Sequence, residues 1–432
     1  MENKMEKAKS QYGTFRESMR APIHSWFTYP AGYSYRLVEV KIEEAGLDKD
    51  SLVLDPFLGS GTTGVAAKFM GIPSIGYEAH PFVQQIATAK LDWDVNTEEL
   101  RDVIDAFAHE AAKKMPKLAE KIDLTTVPEL LPKCYSDQTL RELLGLWKLV
   151  QESISDPAHV LFFKVAMTNT LRVVSSAGTG WPYIAPSKFA EKKVDRPALP
   201  NLLKRLDQMV LDLDYVQGGR IGKAKATLVS GDSRNMSKVK DASVDLVVTS
   251  PPYLNNFDYA DRTRLEMYFF GDATSWGDIT SKVRDKLVIA ATTQVNGSTL
   301  PEGMLKSDIR DAAPKVHKDL MKTITALGIE KKLKKGKKNY DWMVAGYFNG
   351  IFDILAECAR TVKVGGEMHW VLGDSAPYGI HIPTEKFIGD IALELGFASY
   401  TEEILRTRGD KWKNNPQRHG VALQESIITI KR

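Results

Sequence analysis

Cysteine is scarce in this chain of 432 residues: Cys134 and Cys358 are the only two. Two thiols cannot build a disulfide framework, and such sparing use fits a reducing compartment. Their flanks, Lys-Cys-Tyr and Glu-Cys-Ala, pair with no other metal ligand, so no metal site is expected. Long apolar runs are missing too, which excludes a membrane span. The stretch Met1–Gln11 is polar and lacks the apolar core of a secretory signal. A cytosolic protein with no membrane partner is the expectation. Net charge is small, formally +3. A nucleic-acid surface, if there is one, must come from local clusters of Lys and Arg rather than from overall charge. There is no internal repeat. What the chain does have is size and apolar content: 43% hydrophobic residues over a length that exceeds one average domain. One catalytic domain with large insertions, or two lobes, is expected.

The pattern along the chain is α/β at both ends. A helix is predicted from Ser34 to Ala45, stopped at Gly46. Ser51–Asp55 is short and apolar, as a buried parallel strand is. A glycine loop then opens a helix over 62–70, and Pro73–Glu78 is a second strand ending in an acid. This is a βαβ unit with glycines at its turn. Residues 81–225 are mostly helical: Leu140, Leu143, Leu144, Trp147 and Val150 recur at helical spacing, as do Leu202, Leu206, Met209 and Leu213. The α/β pattern resumes with strands at Ala226–Ser230 and Val244–Thr249. Residues 272–340 read as a second, irregular insertion. A helix at 340–363, a strand at Glu367–Leu372, a helix at 383–395 and an antiparallel pair around 398–405 and 421–430 complete the chain.

Two segments carry chemistry. The first is Asp55-Pro56-Phe57-Leu58-Gly59-Ser60-Gly61-Thr62-Thr63. Glycine permits φ > 0 and lets a ligand approach the backbone, and amides at the following helix N-terminus can hold an anion. The spacing lacks the Gly-x-Gly-x-x-Gly ending of a dinucleotide loop, and an acid leads it. The second is Thr249-Ser250-Pro251-Pro252-Tyr253, at the carboxyl end of the strand Val244–Thr249. Two prolines fix φ and remove two backbone donors, so the turn presents carbonyl acceptors, a hydroxyl and a ring. Such an edge suits a planar group bearing an NH2. The plainer readings are a tight strand–helix turn for the first segment and a chain breaker for the second.

Together these segments resemble the S-adenosylmethionine (SAM)-dependent amino-methyltransferases of DNA, and Ser-Pro-Pro-Tyr is most typical of their cytosine-N4 branch. The resemblance is carried by the first 80 residues and by 226–271, and it returns at Gly373-Asp374-Ser375 and Asn414-Asn415-Pro416 with Glu425-Ser426. It implies a Rossmann-like methyltransferase fold: a mixed, mostly parallel sheet flanked by helices, with an antiparallel last strand and a large helical insertion. The catalytic domain would be 1–80 with 226–432. The lobe 81–225 would serve target recognition, and 272–340 would be a DNA-contacting loop.

The resemblance also distributes roles. SAM would be held by Asp55, Pro56, Phe57, Gly59, Ser60, Gly61, Thr62 and Thr63, with Asp55 suited to its ammonium. Glu78 would accept from ribose hydroxyls, while Asp232, beside Ser233, would accept from the adenine amine. The aromatic segment His24–Tyr33 would close over the methionine end, through Tyr29 and Trp26. Ser250, Pro251, Pro252 and Tyr253 would grip the target amine. The exocyclic amine is a poor nucleophile, because its lone pair is delocalised into the ring. Placed acceptors favour the pyramidal nitrogen that develops charge. The base must first leave the duplex. Methylation at cytosine C5 needs a cysteine nucleophile after a proline, and neither cysteine follows one.

The implied partner is double-stranded DNA, with a restriction endonuclease counterpart in the same system. The run Lys331–Lys338 and the stretch Arg406, Arg408, Lys411, Lys413 and Arg418 are candidate phosphate contacts; solvated faces are the plain alternative. The other functional readings are adenine-N6 methylation, RNA base methylation and a non-catalytic regulator that binds SAM or DNA.

Overall fold

A computed structural model describes residues 11–28, 32–178, 183–185, 193–219, 224–295, 304–408 and 421–432. Its centre is a seven-stranded sheet: β1 Val53–Asp55, β2 Ser74–Glu78, β3 Ala226–Ser230, β4 Val244–Thr249, β5 Val362–Gly373, β6 Ser399–Arg408 and β7 Leu423–Lys431. The spatial order is β3-β2-β1-β4-β5-β7-β6. The first five are parallel neighbours, and β7 runs antiparallel between β5 and β6. This is the Rossmann-like methyltransferase arrangement expected from the sequence. Strand β5 begins at Val362 rather than Glu367. Gly365, at φ 85°, carries the chain through a bulge there.

The central strands are buried on both faces and read as apolar runs rather than alternations. Val53, Leu246, Val248, Val371 and Ile427 pack on one face against α1 (Tyr35–Glu44) and α2 (Thr62–Phe69). Leu54, Val247, Met368, Trp370, Leu372 and Ile428 pack on the other with Met343, Tyr347, Ile351 and Leu355. The helix ends follow from their sequence. The Ser34 hydroxyl accepts from the Arg36 amide at 3.2 Å, and Asp156 caps the helix that Pro157 opens.

The first insertion is helical, as expected. Its main helices are α3 (Pro81–Leu91), α4 (Thr97–Glu120), α5 (Asp137–Ser153), α6 (Pro157–Val173) and α7 (Ala198–Gly218). Its core is continuous with Trp26, Phe27, Phe82, Leu265 and Phe269, so it packs onto the catalytic unit. The second insertion differs from its irregular expectation. It holds helices at Trp276–Lys282 and Ser307–Ala312 and the long α8 (Pro314–Leu333), which packs on α9 (Tyr340–Thr361). Among the described residues no helix is long and apolar enough to cross a membrane, and no His, Cys, Asp and Glu cluster fits a metal.

Candidate functional site

In an open parallel sheet ligands bind beyond the carboxyl ends of the strands where the strand order reverses. Here that point lies between β1 and β4. The Asp55–Thr63 loop leaves β1 and the Ser250–Tyr253 turn leaves β4. A cavity opens at this point, lined by Tyr33, Pro56, Phe57, Gly59, Ser60, Thr62, Glu78, His80, Asp232, Ser233, Ser250, Pro252 and Tyr259. Residues as far apart in the chain as Tyr33 and Tyr259 therefore share one space.

The glycine loop is shaped for close approach. Gly59 and Gly61 sit at φ 54° and 93°, where a side chain is strained, and Gly61 caps α2. The Leu58 amide donates to the Tyr77 carbonyl at 2.9 Å. A Cβ at Gly76 would stand 2.8 Å from Leu58 Cδ1, so Gly76 is the space that seats the loop on β2.

Glu78 ends β2, half-buried, with its Oε1 2.7 Å from the His80 amide. Burial lifts its carboxyl to about 7; amide hydrogen bonds partly offset this, and nearby Asp55 adds to it. His80 is buried and held neutral, its pKa pushed down to about 3 by burial. Its Nε2 lies 2.7 Å from Thr263 Oγ1. Asp232 is gripped by its neighbour: Arg234 donates its amide to Oδ1 at 2.9 Å and its Nε to Oδ2 at 2.7 Å.

Six described residues given site roles by the sequence do not line the cavity, Trp26 of the aromatic segment among them. The Asp55 carboxylate is buried and turned into the protein. Thr63 Oγ1 donates to it at 2.6 Å, Thr249 Oγ1 at 2.5 Å, the Tyr33 hydroxyl at 3.2 Å and the Phe57 amide at 2.9 Å. That shell fills its acceptor capacity, so it ties β1 to β4 instead of facing an ammonium. Thr63 is part of the same knot, bonded also to the Val248 carbonyl. Gly61 and the buried Pro251 lie behind the lining. Tyr253 stands beside the cavity, its hydroxyl 2.9 Å from Glu425 Oε1 and the Arg408 guanidinium 5.1 Å from its ring centre. Glu425 is held in turn by Arg406 Nε at 2.5 Å. Arg406 and Arg408 both spend donors within the protein, Arg408 on the Asp374 carbonyl at 3.2 Å.

In the aromatic segment Trp26 is a core residue. Its Nε1 donates to Asp212 Oδ2 at 2.9 Å and its ring meets Phe162 edge-on. Tyr29 lies outside the described residues, as do Lys411, Lys413, Asn414, Asn415, Pro416 and Arg418. The segment reaches the cavity through Tyr33 instead. The lysine run is partly pinned as well: Lys334 Nζ donates to the Tyr378 carbonyl at 2.6 Å, and Lys331 bonds Asn339.

Sequence reasoning missed Tyr33, His80, Tyr259 and the trio Lys286, Leu287 and Val288. Tyr33 lies within the aromatic segment His24–Tyr33, and His80 and Tyr259 lie a few residues beyond Glu78 and Tyr253. The trio lies in an insertion with no motif, and nothing in its spacing marks it. Both cysteines are buried. Cys134 has its thiol pushed up to about 12 by burial, and that of Cys358 is raised for the same reason, so neither is a nucleophile.

The donor set fits SAM. Glu78 offers a carboxylate for hydroxyls, the start of α2 offers amides and the Ser60 and Thr62 hydroxyls for a carboxylate, and Phe57, Leu287 and Val288 offer apolar surface for a purine.

A family model described as DNA methylase matches residues 2–89. The type II methyltransferase M.BsoBI of Geobacillus stearothermophilus is 26% identical over 96% of this chain and 86% of its own. M.AvaI of a Nostoc strain is 22% identical over 89% and 81%, and M.MvaI of Kocuria varians 22% over 98% and 93%. Among solved structures the rRNA methyltransferase aviRa from Streptomyces viridochromogenes aligns at 10% identity over 96% of each chain. Its TM-score of 0.27 adds nothing to the topology itself. In its motifs, strand order and relatives the chain is similar to the amino-methyltransferases of DNA, and SAM is the methyl donor that this likeness implies.

Proposed function

We propose that this protein methylates the exocyclic N4 amine of a cytosine flipped out of a specific site in double-stranded DNA. The observation that carries this is the shared cavity: Ser250 and Pro252, on the acceptor edge, open into the same space as Gly59, Glu78 and Asp232. Bound there, SAM supplies an electrophilic methyl group. The chain's own residues hold and orient. Phe57, Gly59, Ser60, Thr62, Glu78, Asp232 and Ser233 form the donor side. The Ser250 hydroxyl accepts from the amine, Pro252 brings no competing donor, and Pro251 behind them fixes the turn. Placed acceptors of this kind stabilise a pyramidal nitrogen without reorganising, and positioning supplies much of the rest.

The setting of Tyr253 supports a stacking role. With its hydroxyl on Glu425 and Arg408 at its ring, it is a fixed plate that leaves little rotamer freedom to lose when a base stacks on it. The first insertion serves as target-recognition lobe in this reading, the second borders the DNA, and a restriction endonuclease of the same specificity is the natural counterpart.

The test is nucleoside mass spectrometry of DNA incubated with protein and SAM. N4-methylcytosine is expected. N6-methyladenine instead would replace the base assignment, and methyl groups found only in RNA would remove DNA as substrate.

A further inference from the structure

Three residues of the donor cavity, Lys286, Leu287 and Val288, belong to no motif and come from the second insertion. Their placement is built rather than incidental. Val288 and Ile289 lie along one side of α9 where Gly346 and Gly350, four residues apart, leave room. A Cβ at Gly346 would come 2.6 Å from Ile289 Cδ1, and one at Gly350 would come 3.3 Å from Val288 Cγ1. Gln294 staples the segment from the other side. Its Oε1 accepts from the amides of Ala290 and Ala291 at 2.9 and 3.0 Å, and its Nε2 donates to the Val288 carbonyl at 3.1 Å.

The same segment is fastened to the acceptor loop. Asn255, at φ 58°, donates its amide to the Ala290 carbonyl at 2.8 Å. Asp258 is buried and accepts from Arg284 Nε at 2.7 Å and Thr293 Oγ1 at 3.0 Å. Position along the cavity follows from Gly350. A Cβ there would have Val288 Cγ1 and Arg234 Cδ as neighbours, at 3.3 and 3.8 Å, and Arg234 is the residue that grips Asp232. Val288 therefore stands at the Asp232 end of the cavity, away from the start of α2.

We propose that Leu287 and Val288 form the adenine-side wall of the SAM pocket in this chain, held ready by Gln294 and fastened to the acceptor loop through Asn255 and Asp258. The wall adds an apolar surface that neither sequence motif encodes. It rests on the assignment of the cavity to SAM and not on the choice of target base.

The test is calorimetric binding of S-adenosylhomocysteine and of adenosine, without DNA. Half-buried Leu287 can be truncated with little harm to the core. Leu287→Ala is expected to weaken both ligands about 5-fold, the scale of losing part of one aliphatic contact. Gln294→Ala, which releases the staple and leaves the wall residues intact, is expected to weaken both to a smaller extent. Unchanged affinities in both variants overturn the wall. Weakened S-adenosylhomocysteine with unchanged adenosine overturns the adenine-side placement. A wild-type protein that binds neither ligand would overturn the donor assignment itself, a failure separate from that of the wall.

Discussion

The two insertions of this chain stand in opposite relation to the site. The first is the longer, yet among the described residues it lends the cavity wall nothing between His80 and Gly231. Its helices bury one another, with Phe163 against Phe107 and Leu140, Leu146 and Leu206 fully buried. It meets the catalytic unit where Arg172 Nε donates to the buried Glu266 at 2.6 Å and where the Tyr183 hydroxyl accepts from the Asp258 amide at 2.8 Å, outside the cavity lining. The second is shorter and patternless over 283–295, yet it lines the cavity and grips the acceptor loop. The contrast has a physical cause. Helical periodicity is what a segment needs to bury its own face. A stretch without it stays ordered only if other contacts hold it, and here the seat at Gly346 and Gly350, the bonds to Asp258 and the internal Gln294 staple do so. Lack of pattern in such a stretch points to dependence on its neighbours.

If the first insertion is a separate core, damage there should cost stability and spare the site. Phe163→Ala removes a fully buried ring and is expected to destabilise by about 3–5 kcal/mol. Denaturant unfolding measures this, and the SAM affinity of the remaining folded protein should be unchanged. A parallel loss of affinity would erase the contrast. Asp258→Ala attacks the second insertion. It leaves the largely buried Arg284 without its carboxylate and is expected to cost about 3 kcal/mol. In this case affinity and turnover should fall together, since the wall and the acceptor loop lose a common anchor.

Legibility in the sequence followed the same division. The five parallel strands could be read because each is a short apolar run bounded by glycine or proline. Asp55 and Glu78 were both visible as acids at strand ends, but only Glu78 faces the cavity. Their difference lies in hydroxyls contributed by Tyr33, Thr63 and Thr249, which surround Asp55 only once β1 and β4 are neighbours. Trp26 looked like a cap because it stands among aromatics. Its burial is decided by Asp212, 186 residues away. Leu287 and Val288 carry no local signal at all. What could be read was what nearby residues decide.

Between the insertions lies the acceptor edge, and Ser250→Ala separates it from both. The hydroxyl lost is one preplaced acceptor, so turnover is expected to fall about 100-fold. SAM affinity, set by the donor side and the wall, should stay within twofold in a direct titration. Turnover near wild type would remove Ser250 from the chemistry. A large loss of affinity would show that donor and acceptor sides are not separable.

Smaller than these three is an effect specific to the donor side. Glu78 has its carboxyl raised from 4.5 to about 7 by burial. Between those values the folded, ligand-free protein holds a proton that the unfolded chain has released. The stability this group contributes is therefore fully present below about pH 4.5 and is lost as pH rises through 7. Ribose hydroxyls donate to the ionised form, so ligand binding runs the other way and strengthens as pH rises through 7. Between pH 6 and pH 8 the ionised fraction goes from about one tenth to about nine tenths, which caps the gain in affinity near tenfold. The thermal shift produced by S-adenosylhomocysteine should grow over the same range. Glu78→Gln cannot ionise and should bind more weakly with no such slope. A wild-type affinity that is flat from pH 6 to 8 would mean the carboxylate meets no ligand hydroxyl, and the donor side would then rest on the glycine loop and the wall alone.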